Sequence, residues 1–202
     1  MIWGDLGKVL FPVLILTFTL NLIDAFFWTL GPIFAENLPG MKQFAGFFMT
    51  AYSLPALVAG WSVGTITRRF GKKRTAFVAL LIGACILSLL PLASGAPVVI
   101  LTVFLAASFI SITWPSINGA YADYISETPK YEKEISGLQD FFTNIGYVVG
   151  PILAGIIAGY FGNSQAFSFL GVFAAVIAIV LIAVTPENIN VNRGLKKLGA
   201  EK

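Results

Sequence analysis

Six long apolar runs decide what this chain can fold into. A helix needs about 20 mostly apolar residues to cross the hydrocarbon core of a bilayer. Runs of about that length lie at 9–33, 44–66, 75–94, 97–121, 136–160 and 165–185. No water in the bilayer can satisfy the backbone of a spanning segment, so each run is predicted to be helical. The sequence therefore predicts an all-α integral membrane protein with six transmembrane helices.

Composition excludes the soluble alternative. Of the 202 residues, 57% are hydrophobic and only 11% are charged, whereas soluble domains have about 25% charged residues. So little charge cannot cover a surface that faces water. We therefore expect a multi-pass protein of the plasma or inner membrane, with residues 1–186 as its membrane domain and 187–202 as a cytoplasmic tail.

Several function classes lack the residues that they need. The chain has no His and one Cys, so a disulfide within it is impossible and a Cys/His metal site is not expected. No nucleophile and base occur at a catalytic spacing. We therefore predict no catalytic residues, no metal, no cofactor and no enzyme activity. The basic residues border the apolar runs, which indicates membrane anchoring rather than binding of nucleic acid.

Charge also predicts the orientation. With both termini in the cytoplasm, all but one of the 13 Lys and Arg residues lie on the cytoplasmic side, and only Lys42 lies outside. This asymmetry follows the positive-inside rule. The cytoplasmic set is Lys8, the five cations in 68–74, Lys130, Lys133, Arg193, Lys196, Lys197 and Lys202.

Small residues form stripes on the second and fifth predicted helices. Such stripes let helices approach closely in a membrane. They fit either packing inside one six-helix bundle or contact with a second bundle. The members are Gly46, Thr50, Ser53, Ala56, Gly60 and Gly64 on the second helix, and Gly146, Gly150, Ala154 and Ala158 on the fifth.

The same two helices share a weak internal similarity. The segment "FFMTAYSLPALVAG" at 47–60 resembles "FFTNIGYVVGPILAG" at 141–155 once one-residue gaps are allowed. The two helices would then be equivalent members of two three-helix units. A unit with an odd number of helices reverses its direction, so the pattern predicts a 3+3 inverted repeat, as transporters have.

Two motifs carry a family resemblance. The segment "GTITRRFGKK" at 64–73 resembles the loop motif Gly-x3-Asp-Arg-x-Gly-Arg/Lys-Arg/Lys of the major facilitator superfamily, with Arg68 where that family has an acid. The segment 137–155 resembles the helix-five motif of the family's drug/proton antiporters, although the antiporters' helix-four Arg has no counterpart. The motif positions are Gly137, Gly146, Gly150, Pro151 and Gly155, which the resemblance places at a seam between two halves.

The resemblance implies half of a twelve-helix fold. Halves of that fold are parallel repeats about an axis along the membrane normal. Two copies of a six-helix chain have the required relative orientation, so a homodimer could rebuild the fold. A complementary half on another chain is the alternative, and a membrane scaffold that transports nothing is a third possibility.

Most candidate site residues lie on the first and fourth helices, which the resemblance assigns to a central cavity, and two more lie on the fifth. Asp24 lies inside the first span, where an ionised carboxylate costs at least ~2.5–3.5 kcal/mol, so it needs a partner, a wet cavity or a proton. We interpret it as the proton-coupling residue, or else as a packing contact. The other candidates suit a lipophilic or cationic organic substrate, namely Asn21, Trp28, Ser111, Trp114, Asn118, Asn144 and Tyr147.

The basic cluster of residues 68–74 is interpreted as more than an anchor. Its last cations open the third helix, where the helix dipole disfavours them, so lipid phosphate, Asp123 or Glu127 is expected to compensate. The resemblance implies that these contacts latch a cytoplasmic gate. The gate residues are Gly64, Arg68, Arg69, Gly71, Lys72, Lys73 and Asp123. Together these features predict a secondary transporter in lipid, which works as a homodimer of halves and couples protons to the export or exchange of that substrate by alternating access.

Overall fold

The structure, a computed structural model, describes residues 2–38, 40 and 45–185, with side chains from residue 10 onward. Across these ranges the regular secondary structure is helical, without strands. Six helices are each long and apolar enough to cross a membrane. They are α1 (Ile2–Asn37), α2 (Ala45–Phe70), α3 (Lys72–Ser88), α4 (Ala96–Glu127), α5 (Glu132–Phe161) and α6 (Asn163–Val184), with 3-10 turns at Leu90–Leu92 and Pro129–Tyr131.

The junctions between helices are shorter than the sequence predicts. Between α2 and α3 the predicted break at 67–74 shrinks to Gly71, whose φ of 82° and ψ of 147° suit glycine alone. Gly162 separates α5 from α6 with nearly the same angles, φ 90° and ψ 161°. The basic cluster is therefore almost wholly helical, which fixes the direction of each side chain in it.

The acidic segment 123–134 is also mostly helical. α4 continues to Glu127 and α5 begins at Glu132, so Asp123 lies on α4 and not in a loop. Hydropathy cannot detect such ends, because a helix that leaves the membrane becomes polar without changing its backbone. α3 is instead shorter than the sequence predicts. It ends at Ser88, before the predicted 94, and a 3-10 turn that contains Pro91 follows.

α1 lies at the centre of one side of the bundle. It packs along α5 and also contacts α2 and α6, while α3 packs between α4 and α6 and α2 packs along α4. An aromatic cluster joins α1, α2 and α6, with ring centroids 4.8–6.3 Å apart. Its members are Phe26, Phe27, Phe34, Phe48 and Phe167.

The small stripe of α5 packs inside the chain. A Cβ on Gly146 would lie 2.7 Å from the Cβ of Asn21, and one on Gly150 would lie 2.6 Å from the Cβ of Ala25. Ala154 is fully buried as well. The small size of Gly146 and Gly150 thus brings α5 against α1, and their place at a seam between two halves stays a prediction.

The small stripe of α2 is placed differently. A Cβ at Gly46, Gly60 or Gly64 would meet nothing within 4 Å, and Ser53 and Ala56 are exposed. The described part of the chain therefore leaves this stripe uncovered, so packing within one bundle does not explain it.

Some of the predicted features lie outside the described part of the chain. The tail at 187–202, Lys42 and the side chain of Lys8 lie outside the described residues. The cytoplasmic position of both termini and the inverted repeat stay predictions.

Candidate functional site

The carboxylate of Asp24 joins three helices. The Tyr52 hydroxyl on α2 donates to Oδ1 of Asp24 at 2.9 Å, and the Tyr147 hydroxyl on α5 donates to Oδ2 at 2.5 Å. Each carboxylate oxygen therefore has a donor from a different neighbour of α1. Asp24 itself is partly exposed, so the carboxylate is held by the protein and still reaches a surface.

The two tyrosines differ in their surroundings. Tyr52 is 8% exposed and stacks on Phe27, with ring centroids 3.9 Å apart and planes 10° apart. Tyr147 is 42% exposed. The α2 side of the carboxylate is therefore fixed by packing, whereas the α5 side is open.

Tyr52 is a candidate site residue that the sequence did not single out. The signal was present, because the internal similarity pairs Tyr52 of "FFMTAYSLPALVAG" with Tyr147 of "FFTNIGYVVGPILAG". Had the candidate at Tyr147 been transferred across that similarity, Tyr52 would have become a candidate too.

One and two turns before Asp24, on the same face of α1, the polar side chains are enclosed. The Asn21 amide donates to the Thr17 carbonyl at 2.7 Å and makes a long contact of 3.5 Å with the Thr143 hydroxyl. Thr17 also shares a 2.9 Å hydrogen bond with Tyr121 of α4. Asn21 is only 1% exposed, so it does not reach an open surface as predicted for a substrate-binding residue. Gly146, which lets α5 approach, is the physical reason.

The remaining substrate candidates do not form one cluster. Trp28, one turn beyond Asp24, is 60% exposed, whereas Ser111 is 7% exposed and Trp114 packs against the core. The Asn118 amide oxygen accepts from Gln139 at 3.4 Å. Asn144 donates to the backbone carbonyl of Asp140 at 2.8 Å. The structure thus brings Tyr147 to Asp24 and leaves Trp28 open on the same face of α1, while Ser111 is enclosed.

The beginning of α3 is bound to the end of α4. Lys72 forms a 2.7 Å ion pair with Asp123 and donates to the Gly119 carbonyl at 3.0 Å. The ammonium of Lys73, which is 8% exposed, lies 5.2 Å from the centroid of the Tyr124 ring. Asp123 is thus one of the compensating groups that the sequence predicts for these cations.

The other predicted gate and seam residues are exposed or open. Arg68 and Arg69 lie in the last turn of α2, and the Arg69 guanidinium lies 5.4 Å from the Phe70 ring centroid. A Cβ at Gly137 or Gly155 would meet nothing within 4 Å. These two glycines, unlike Gly146 and Gly150, are free to face another bundle. Pro151 lies inside α5.

Among the described residues, no three His, Cys, Asp or Glu side chains are grouped closely enough to hold a metal ion. The polar atoms of the site are instead carboxylate, hydroxyl and amide groups on helices α1, α2 and α5. Such a set can exchange protons and form hydrogen bonds with a ligand.

A family profile and two similar proteins point to the same family of membrane transporters. The sequence profile described as Major Facilitator Superfamily matches residues 13–201. An uncharacterized MFS-type transporter of Methanocaldococcus jannaschii is 25% identical over 201 residues, which cover 98% of this chain and 51% of that protein. Multidrug resistance protein 2 of Bacillus subtilis is 24% identical over 188 residues, or 90% of this chain and 45% of that protein. The chain spans about half the length of both relatives.

Proposed function

Because this chain belongs to the major facilitator superfamily, a family of membrane transporters and not of enzymes, we propose that it is one half of a proton-coupled secondary transporter. It would act by alternating access in the plasma or inner membrane. The observation that carries the proposal is the Asp24 carboxylate, which binds α2 and α5 to α1 through two tyrosine hydroxyls.

Proton coupling would work through these hydrogen bonds. An ionised Asp24 accepts from both tyrosines, and hydrogen bonds to a charged group contribute about 1.5–3 kcal/mol each. A protonated carboxyl donates from one oxygen, so the tyrosine on that side must turn from donor to acceptor, and both hydrogen bonds lose the contribution of the negative charge. Protonation would therefore weaken the attachment of α1 to α2 or α5, and a change in helix packing is what alternating access requires.

The substrate we propose is a small lipophilic or cationic organic molecule. Trp28, one turn along α1 from Asp24, and Tyr147, which donates to the Asp24 carboxylate, both expose aromatic surface. Aromatic faces attract organic cations by about 0.5–2 kcal/mol, and the carboxylate adds an opposite charge. The multidrug resistance name of the Bacillus relative is in keeping with such a substrate.

A second half is needed to enclose the site, and we propose that a second copy supplies it. The uncovered small stripe of α2 and the open Gly155 of α5 would form the contact. The length of the relatives, about twice that of this chain, supports a two-half assembly. A different six-helix half would use the same faces, and co-purification of such a chain would favour it.

Reconstituted liposomes test the proposal. The full chain is placed in vesicles that contain a pH-sensitive dye, and lipophilic cations are screened for those that drive proton flux. Asp24→Asn is expected to reduce that flux at least tenfold. The matched control is Asp140→Asn, because Asp140 is an exposed carboxylate on α5 and neither of the hydrogen bonds to Asp24 involves it.

The outcomes separate the candidate functions. Flux that survives Asp24→Asn contradicts the coupling role. A well-folded chain that gives no flux with any cation, alone or with a second half, would instead be a scaffold.

A further inference from the structure

A cavity lies away from Asp24, between α2, α3 and α4. It is a groove of about 490 Å³, open along one side. Most of its wall is aliphatic or aromatic. The lining residues are Ile66, Phe70, Arg74, Thr75, Val78, Ala79, Ile82, Phe109 and Ile112.

The groove is apolar along its length and polar at one end. Arg74 and Thr75 lie in the first turn of α3, and Ile82 lies two turns further along. With a rise of 1.5 Å per residue, Arg74 and Ile82 are about 12 Å apart along the helix axis. A ligand that fills the groove therefore needs a polar group at one end and an apolar chain behind it.

The polar end favours an anion. Arg74 is exposed there and belongs to a segment with five basic residues between positions 68 and 74. The first turn of α3 contains no acidic residue, and its cap residue Gly71 offers no side chain. The amide groups at the start of a helix therefore attract negative charge together with the cation.

Thr75 supplies an independent observation. It is 7% exposed, and its hydroxyl oxygen is buried without a hydrogen-bond partner in the structure. Buried polar groups are nearly always hydrogen-bonded, so a hydroxyl in the wall of the groove without a partner indicates a missing one. Rotation of the Thr75 side chain about its Cα–Cβ bond would turn the hydroxyl towards the groove, where a ligand oxygen at the Arg74 end would provide the partner.

We propose that this groove binds an anionic phospholipid, with its phosphate at Arg74 and Thr75 and one acyl chain along Val78, Ala79 and Ile82. Basic pockets between transmembrane helices bind lipid head groups by the same charge complementarity. The lipid would brace the start of α3 against α2 and α4. It adjoins the Lys72–Asp123 ion pair but shares no residue with the Asp24 site, so the proposal does not depend on transport.

Lipid titration of the full, delipidated chain in detergent tests this inference. Native mass spectrometry would count bound phosphatidylglycerol, phosphatidylcholine and inorganic phosphate. We expect the first phosphatidylglycerol to bind at least tenfold more tightly than phosphatidylcholine, with no displacement by excess inorganic phosphate. Arg74→Gln should remove that preference. Arg68→Gln, which removes an exposed cation outside the groove, should keep it.

The apolar part of the groove needs its own variants. Ala79→Phe should reduce binding of both lipids by filling the groove. Ile82→Trp, at a residue 38% exposed, should do the same with less risk to folding, and Ile179→Trp on the exposed face of α6 is its control. The inference is overturned by equal affinities for the two lipids, by identical losses in Arg74→Gln and Arg68→Gln, or by a dimer that covers the groove and retains no lipid.

Discussion

Tyr52 and Tyr147 occupy matching positions in two similar segments and donate to the two oxygens of one carboxylate. α1 is therefore held from both sides by the same type of side chain. An arrangement of this kind can respond to a single proton, because a hydrogen on the Asp24 carboxyl reverses one of the two hydrogen bonds and removes the charge that strengthens both.

Removal of either tyrosine hydroxyl should weaken the site unequally. Tyr52→Phe leaves the stack on Phe27 but removes a buried donor to a carboxylate, so we expect a loss of about 1.5–3 kcal/mol in stability. Tyr147→Phe should cost less, because water can replace the hydroxyl of a half-exposed residue. Unfolding of the detergent-solubilised chain measures both effects.

A double-mutant cycle checks that these losses act through Asp24. In an Asp24→Asn background, Tyr52→Phe should cost at least 0.5 kcal/mol less than in the unmodified chain, as roughly expected for residues in direct contact. Additive effects would show that Tyr52 stabilises α2 without its bond to Asp24.

The close approach of α5 to α1 predicts a sharp difference between glycines. In Gly150→Ala the new Cβ would lie 2.6 Å from the Cβ of Ala25, so we expect a loss of about 1–3 kcal/mol in stability from overpacking. Gly159→Ala meets nothing within 4 Å and should be neutral or slightly stabilising. Thermal unfolding compares them, and equal transitions would contradict the packing.

Crosslinking between copies tests the homodimer. In a Cys85→Ser background, Gly60→Cys combined with Gly155→Cys should give a dimer on mild oxidation in lipid. Ala154→Cys should not substitute for Gly155→Cys, because residue 154 is fully buried. Gly60→Cys with Ile179→Cys, on the exposed face of α6, is the control, and equal dimer yields from both pairs would indicate random collision.

The basic cluster should affect transport more than stability. Lys72 and Asp123 have side chains 36% and 57% exposed, so their ion pair is worth about 0–1 kcal/mol. We expect Lys72→Gln and Arg69→Gln to unfold normally and insert in the same orientation, yet to slow transport at least threefold. Protease accessibility reports the orientation. Normal transport in both variants would show that the cluster serves only as a membrane anchor.

The sequence was sufficient for the six spans and the family, because both depend on hydropathy and on spaced glycines. It was not sufficient for the side that each small stripe faces. Gly150 and Gly60 look alike in sequence, but a Cβ on Gly150 would lie 2.6 Å from the Cβ of Ala25, whereas one on Gly60 would meet nothing within 4 Å. The partner of a membrane helix is set by packing among all helices, and periodicity along one helix cannot supply it.

The site was half predictable for a similar reason. An acidic residue in a membrane span is conspicuous in a sequence because a charge there costs free energy, and this identified Asp24. Asn21 lies on the same face of α1 as Asp24 but is enclosed by α5. Tyr52 is one of many aromatic residues in the apolar runs, so the sequence did not distinguish it. Hydrogen bonds between distant segments decide such cases, and they exist only once the helices are assembled.

The uncovered face of α2 has a consequence for how the protein survives in a cell. If copies pair through that face, an unpaired copy leaves the Asp24 site beside lipid, where a charge is costly. Association then stabilises the folded chain by mass action. A cell that makes little of this protein would hold mostly short-lived single copies, so its abundance would fall more steeply than its rate of synthesis.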